Sequence, residues 1–150
     1  MKVLVQRVSQ ASCVVGGKTH SAIGAGLALF VSFQKGDDAS LLPWMAKKVA
    51  NLRIFEDSEG KMNVSVTDTG GEILSISQFT LEAKTQKGNR PSFTGAMPPT
   101  EANALYEQFN EMLRRQYAVS VATGAFQEHM DISLINDGPV TILLERTHHS

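Results

Sequence analysis

The chain opens on a valine-rich run. Lys2 to Val8 is predicted to form a strand, and Ala11 to Val15 a second, ended by the turn residues Gly16-Gly17. Leu27 to Phe33 is a third, apolar enough to be buried on both faces. Gly36-Asp37-Asp38 breaks that pattern, the two aspartates suiting a helix start better than a metal. Leu42 to Leu52 then reads as a helix, with Pro43 tolerable only in its first turn. Arg53-Ile54-Phe55 and Glu72 to Ser77 read as strands around a polar turn region, Asp57 to Asn63. Lys84 to Pro99, with Gly88, Pro91, Gly95, Pro98 and Pro99, is a long loop of the kind that often carries function. From Thr100 to Gln116 the helical period returns, with Ala102, Leu105, Phe109, Met112 and Leu113 on one face as a core stripe. Val119 to Ala122, Asp131 to Ile135 and Val140 to Glu145 close the chain as strand-like runs. The mixture predicts an α/β or α+β domain, with two main helices packed on curved sheet.

Composition narrows this picture only a little. A chain of 150 residues, 42% hydrophobic and 19% charged, fits one ordered domain with a usable core. The formal charge of −1 argues against a protein that coats RNA, though not against one that grips an RNA end. Cys13 is the only cysteine, so no internal disulfide and no Cys-x-x-Cys site forms; a reducing cytoplasm is the expected setting. Met1-Lys2-Val3 leads into the first strand without a signal peptide. The longest apolar run, Ala22 to Phe33, is too short for a membrane-spanning helix, so no membrane association is expected.

Most catalytic motifs fail on inspection. Gly17-Lys18-Thr19 ends like a phosphate loop, but Ser12 stands where the pattern needs glycine. Gly24-Ala25-Gly26 has Leu29 in place of the third glycine of a dinucleotide fingerprint. No Gly-x-Ser-x-Gly elbow occurs. His20, His129, His148 and His149 form no zinc-type pair, so neither a metal nor a cofactor is expected; the last two read as a frayed tail.

Two segments resist a plain structural reading. Ser77-Gln78-Phe79-Thr80-Leu81 ends a predicted strand, where a simple turn and a site are equally compatible with the pattern. Asn136-Asp137-Gly138-Pro139-Val140-Thr141 places Asp-Gly between apolar runs, normally a tight hairpin. Pro139 cannot donate the N–H that closes such a turn, so carbonyl oxygens are left free, and a Gly-Pro bond adopts cis more readily than other peptides.

With these segments the chain resembles, from end to end, the D-aminoacyl-tRNA deacylase family. Val5-Gln6-Arg7-Val8, Asn51-Leu52-Arg53-Ile54-Phe55, Gly60-Lys61-Met62-Asn63 and Arg90-Pro91-Ser92-Phe93 match in order and spacing. Ser77 to Thr80 matches the family's Ser-Gln-Phe-Thr signature, and Asn136 to Thr141 its Gly-Pro signature. Ala122-Thr123-Gly124-Ala125-Phe126 also fits, but Gln127-Glu128-His129 is bulkier and more charged than the family's usual small residues there.

The resemblance implies a single compact α/β domain of layered, curved mixed sheets over residues 1–150, forming a homodimer. It implies hydrolysis of D-aminoacyl-tRNA, and of glycyl-tRNA, at the 3′ end of the RNA. Gly138-Pro139, in cis and braced by Arg7, would enter the partner's pocket, and its carbonyls would receive the substrate amino group while excluding an L side chain. Ser77, Gln78, Phe79 and Thr80 would form the other wall, with backbone N–H groups stabilising the oxyanion. Phe126 and Met130 would contact the terminal adenosine. Thr80, with no base beside it in sequence, suits positioning better than nucleophilic attack. Two other classes stay open: a binding module that holds aminoacyl or nucleotide ends without cleaving, and a threonine-nucleophile hydrolase of small esters or peptides.

Overall fold

The computed structural model describes residues 1–150. Its central strand, β1, runs unbroken from Lys2 to Val15, so the two predicted strands are one. One edge of β1 pairs first with β3 (Gly26–Ser32) and then with β2 (Lys18–Ile23), both antiparallel. The other edge carries β8 (Asp131–Glu145) along nearly its whole length. Beyond β3, β6 (Glu72–Ser77) and β7 (Ser120–Thr123) add parallel strands. Sequence patterning missed β2, because Lys18, Thr19 and His20 are all exposed and show no apolar face. The predicted strand at Arg53 shrinks to β4 (Phe55–Glu56), which pairs with β5 (Met62–Val64) in a separate two-stranded ribbon.

The largest departure concerns Asn136 to Thr141. The chain does not reverse there: Leu134 and Asn136 pair with Ala11 and Val8, and Thr141 and Ile142 with Gln6 and Val5, on the same strand in one direction. Between the pairs Val8↔Asn136 and Gln6↔Thr141, β1 contributes Arg7 alone while β8 must fit residues 137–140. The surplus is pushed out as a bulge on an edge strand, a setting in which a proline is tolerated without losing the ladder.

Two helices cover one face. In α1 (Leu42–Asn51), Pro43 sits in the first turn as predicted; Met45 and Val49 face Val3, Val5, Leu27, Leu29 and Val31. In α3 (Pro99–Tyr117), Phe109 and Leu113 are fully buried in the same cluster, with Ala102, Leu105 and Met112 packed at its margin. Tyr106 and Asn110 are buried on α3 as well, outside the predicted stripe. A second cluster fills the opposite face, where Val8, Cys13, Ile23, Ala28, Leu74 and Ile76 meet Met130, Ile132 and Leu134. β3 is therefore buried on both sides, as its composition predicts. The sheet curls over this second cluster until β2 reaches β7, where Ser21 Oγ donates to the Thr123 carbonyl at 2.8 Å. A short helix, α2 (Val66–Thr69), starts at a reciprocal Ser65–Asp68 capping box. No helix is long and apolar enough to cross a membrane.

The topology places one end of the sheet apart. β3, β6 and β7 run parallel, and β1 and β8 are registered so that Glu145, Lys2, Ser32 and Ser77 sit close to one row. Loops leaving that row build the cavity.

Candidate active site

A cavity of about 670 Å³ opens where β6 ends. Its floor is Ile76, Ser77, Gln78 and Phe79; Phe93 and Ala96–Pro99 of the long loop, with Ala102 of α3, form one wall. Phe126 to Met130 and Ile132 form the other. The lining is mostly apolar with a few polar groups, the usual make-up of a small-ligand site. Phe79, more than half exposed, stands edge-on to Phe93 with ring centroids 5.0 Å apart. Phe126 leans on Tyr106 at 6.4 Å. Gly124 lets Met130 pack closely: an added Cβ would lie 2.6 Å from the Met130 sulfur and displace that side chain, whose sulfur accepts from the Ala125 N–H at 3.3 Å.

After Ser77 the backbone turns sharply. Gln78 N–H donates to the Val31 carbonyl at 2.7 Å, which ties the turn to β3, and Phe79–Glu82 forms one 3-10 turn. The N–H groups of Phe79 and Thr80, at its start, donate to no protein acceptor, as expected at a helix beginning. Gln78 Nε2 stands 2.5 Å from Thr80 Oγ1, and no histidine, carboxylate or amine bonds to that hydroxyl. Glu82 anchors the turn from below. It is buried, accepts from Ser32 Oγ, and receives Lys2 Nζ at 3.3 Å, while Lys2 also reaches the Leu81 carbonyl at 3.4 Å. Behind the cavity, Tyr106 donates its hydroxyl to the Ser75 carbonyl at 2.6 Å. Burial pushes the Tyr106 pKa up, so the phenol remains a neutral donor.

The β8 bulge is a second, separate feature. The Gly138–Pro139 peptide is cis, and Asp137, Gly138 and Pro139 are exposed. Gly138 has φ +141°, and a Cβ there would meet Val140 Cγ2 at 2.8 Å and Arg7 Nη2 at 3.1 Å. Arg7 is buried beneath it, donating to the Asp137 carbonyl at 2.8 Å and to the Ile54 carbonyl at 2.7 Å. Asn136 closes the bulge from within: its Oδ1 accepts the Val140 N–H and its Nδ2 donates to Thr141 Oγ1, both at 2.8 Å. The donor that Pro139 lacks is thus supplied by Val140 to a side chain.

Of the sequence-derived site residues, Ser77, Gln78, Phe79, Phe126 and Met130 meet in the cavity, and Thr80 stands at its edge through Gln78. Gly138, Pro139 and Arg7 gather elsewhere. Three strand spacings of about 4.8 Å and four residues of about 3.3 Å separate them from Ser77, so roughly 20 Å lies between the two groups. Gln127, Glu128 and His129, where the chain departs from the family pattern, line the cavity wall. Sequence reasoning missed Phe93 and Met97 as lining groups, and Asn136 and Glu82 as supports. A lone glutamate following Phe-Thr-Leu offers no pattern to find it by. No three His, Cys, Asp or Glu side chains gather as a metal site.

These features define a single-domain α/β protein with a mostly apolar pocket at the ends of its sheet strands. The family model for D-Tyr-tRNA(Tyr) deacylase matches residues 4–145. A D-aminoacyl-tRNA deacylase of Saccharophagus degradans is 56% identical over 144 residues, covering 96% of this chain and 99% of that protein. One of Chloroherpeton thalassium is 55% identical over 145 residues, covering 97% and 95%. Among solved structures, one titled c-Myc DNA Unwinding Element Binding Protein is 44% identical, with TM-score 0.93 over 98% of this chain and 99% of that one. Another, titled as a probable eukaryotic D-amino acid tRNA deacylase, shares the fold with TM-score 0.81 at 18% identity over 95% of this chain and 97% of that one. The chain belongs to the D-Tyr-tRNA(Tyr) deacylase family, a family of hydrolytic enzymes.

Proposed function

We propose that the chain hydrolyses the ester linking a D-amino acid to the 3′-terminal ribose of tRNA, and does so as a homodimer whose pockets are shared between subunits. Water adds to the ester carbonyl carbon; the bond from that carbon to the ribose oxygen breaks; the ribose oxygen takes up a proton; a free D-amino acid and tRNA leave. The Phe79 and Thr80 N–H groups, free of protein acceptors, are the donors available to the carbonyl oxygen as it gains charge. Phe126 and Met130 offer an apolar wall to the adenine. Thr80 is a positioning group: its only side-chain neighbour in hydrogen-bond range is an amide, which is no base.

The observation that carries the shared site is the separation of the two motifs. Within one chain the Gly138-Pro139 bulge lies roughly 20 Å from Ser77 by strand spacing, and none of its residues lines the cavity. The bulge is nevertheless stiffened by Arg7 and Asn136 and left exposed, as a part made to enter another molecule would be. β8 supports pairing of copies too: its outer edge is unpaired, and Ile135 and Leu143 are each more than half exposed on it. In a two-fold dimer each bulge reaches the other subunit's cavity. There its carbonyls would receive the α-amino group and block an L side chain.

The test is deacylation of matched D-Tyr-tRNA and L-Tyr-tRNA with chelator present. The D ester is cleaved and the L ester is not; glycyl-tRNA, having no side chain to clash, is cleaved as well, including glycine mischarged on tRNA-Ala. Comparable cleavage of the L ester would contradict the clash. Activity lost to chelator and restored by zinc would contradict a site made of side chains and backbone alone.

A further inference from the structure

The cavity accounts for the last nucleotide of a substrate whose body is far larger, and a second surface has the chemistry to hold that body. Trp44, half-buried on α1, has two cations over its ring: Arg146 lies 4.7 Å and Lys48 5.3 Å from its centroid. Beside them Trp44, Lys47, Lys48 and Arg53 border a shallow groove of about 380 Å³. Elsewhere Lys2, Arg7, Lys61, Arg114 and Arg115 each stand within 4.0 Å of a carboxylate. Lys47, Lys48, Arg53 and Arg146 have no such partner. What sets these four apart from the other cations without a carboxylate partner is that they gather around one aromatic ring, in a chain of net charge −1.

Its position matters as much as its charge. Arg146 directly follows Glu145, which pairs with Lys2, in the row of strand ends that reaches Ser77. Three strand spacings, about 15 Å, separate Glu145 from Ser77 across the sheet. The single-stranded end of a tRNA spans such a gap. Lys84, Lys87 and Arg90, likewise without carboxylate partners, are exposed on the loop whose later residues line the cavity.

We infer that the Trp44 groove, with Lys47, Lys48, Arg53 and Arg146, is a docking surface for the phosphate backbone of the substrate tRNA's base-paired arm. This rests on the deacylase reading for its ligand. Phosphates take the place of the missing carboxylates, and the planar Arg146 guanidinium, placed over the indole, offers paired donors to a phosphate. Because such contacts ignore sequence, the surface sets affinity and orientation for every tRNA alike.

The experiment compares the wild type with Lys47→Gln/Lys48→Gln and with the triple variant that adds Arg146→Gln. Uncharged tRNA binding is measured by fluorescence anisotropy from low to moderate salt. Hydrolysis is measured on D-Tyr-tRNA and on the small ester D-tyrosyl-adenosine. In the triple variant, tRNA binding weakens about ten-fold or more at low salt, and the log–log salt slope falls by roughly one per cation removed. The double variant, which touches only exposed lysines, shows the same trend at smaller size, while D-tyrosyl-adenosine is cleaved at the wild-type rate by both. Unchanged tRNA affinity and slope would overturn the inference. Equal losses on tRNA and on the small ester would overturn it too, by showing that the changes act through the fold. If the wild type cleaves neither D ester, the deacylase reading fails, yet the tRNA titration still judges the docking surface.

Discussion

The cavity and the β8 bulge differ in almost every physical respect. The cavity is concave, mostly apolar, and assembled from β6, the long loop, α3 and the segment before β8. The bulge is convex and exposed, made from one strand, and rich in backbone polar groups. The first has room for a ligand and little rigid polar chemistry; the second has fixed polar groups and no room. Each has what the other lacks, and in one chain they face different places. That difference is what makes a second copy part of the proposed site, and it orders the changes that would break it.

The largest effect is expected at Gly138. Its φ of +141° and the 2.8 Å approach of Val140 Cγ2 leave no place for a methyl group. Gly138→Ala therefore reshapes the bulge, and activity on D-Tyr-tRNA falls on the order of a hundred-fold or more, since about 1.4 kcal/mol of misplacement is already ten-fold. Circular dichroism stays near native, because of residues 137–140 only Val140 belongs to a core cluster.

Arg7 comes next and adds a stability cost. Arg7→Ala strips donors from the Ile54 and Asp137 carbonyls, one of them buried with the guanidinium. About 2–4 kcal/mol of destabilisation follows from leaving such groups unpaired, read by urea unfolding. Arg7→Lys recovers little, since a single ammonium does not reproduce the fork that spans both carbonyls. Equal stability of the two variants and the wild type would show that the bulge is held by other means. Asn136→Ala separates rigidity from fold: the Val140 N–H loses its acceptor, activity falls about ten-fold, and stability falls by only about 1 kcal/mol.

On the cavity side the losses are smaller and of another kind. Met130→Ala removes the proposed adenosine contact without touching the Ser77–Thr80 turn proposed to hold the reacting carbonyl. KM rises about five- to ten-fold while kcat holds, the signature of uniform binding. Thr80→Ala is the mildest, at less than ten-fold, because it removes a hydroxyl whose partner is an amide. A loss near the ~10⁶-fold seen when an essential nucleophile is removed, or an acyl-enzyme trapped on Thr80, would restore the nucleophile reading.

How much of this was legible in sequence follows from where the pattern had a single cause. β3 and the α3 stripe were legible because burial alone sets their composition. β1 reads as two strands because Ser9 and Gln10 interrupt its apolar run, although the strand runs on through both. β8 reads as two strands around a turn because Asp137-Gly138 between apolar runs signals a chain reversal; the shared partner strand that overrules this is a tertiary fact. The capping box Ser65-Val66-Thr67-Asp68 was present in the sequence, but the helix it opens is one turn long and shows no period. At the site, the motif residues came from family resemblance, and residue chemistry alone left them undecided. Their supports, Asn136 and Glu82, became visible only with the hydrogen bonds that define them.

The central claim, that each pocket takes its cavity from one subunit and its bulge from the other, has a direct test. Gly138→Ala is mixed in equal amounts with a cavity variant, Gln78→Ala, under conditions that exchange subunits. In a two-fold dimer, each heterodimer holds one pocket with both lesions and one with neither, so intact pockets alone return about one quarter of wild-type activity on D-Tyr-tRNA, above the mean of the two impaired parents. No recovery, with heterodimers shown to form by mass spectrometry, would contradict the shared site.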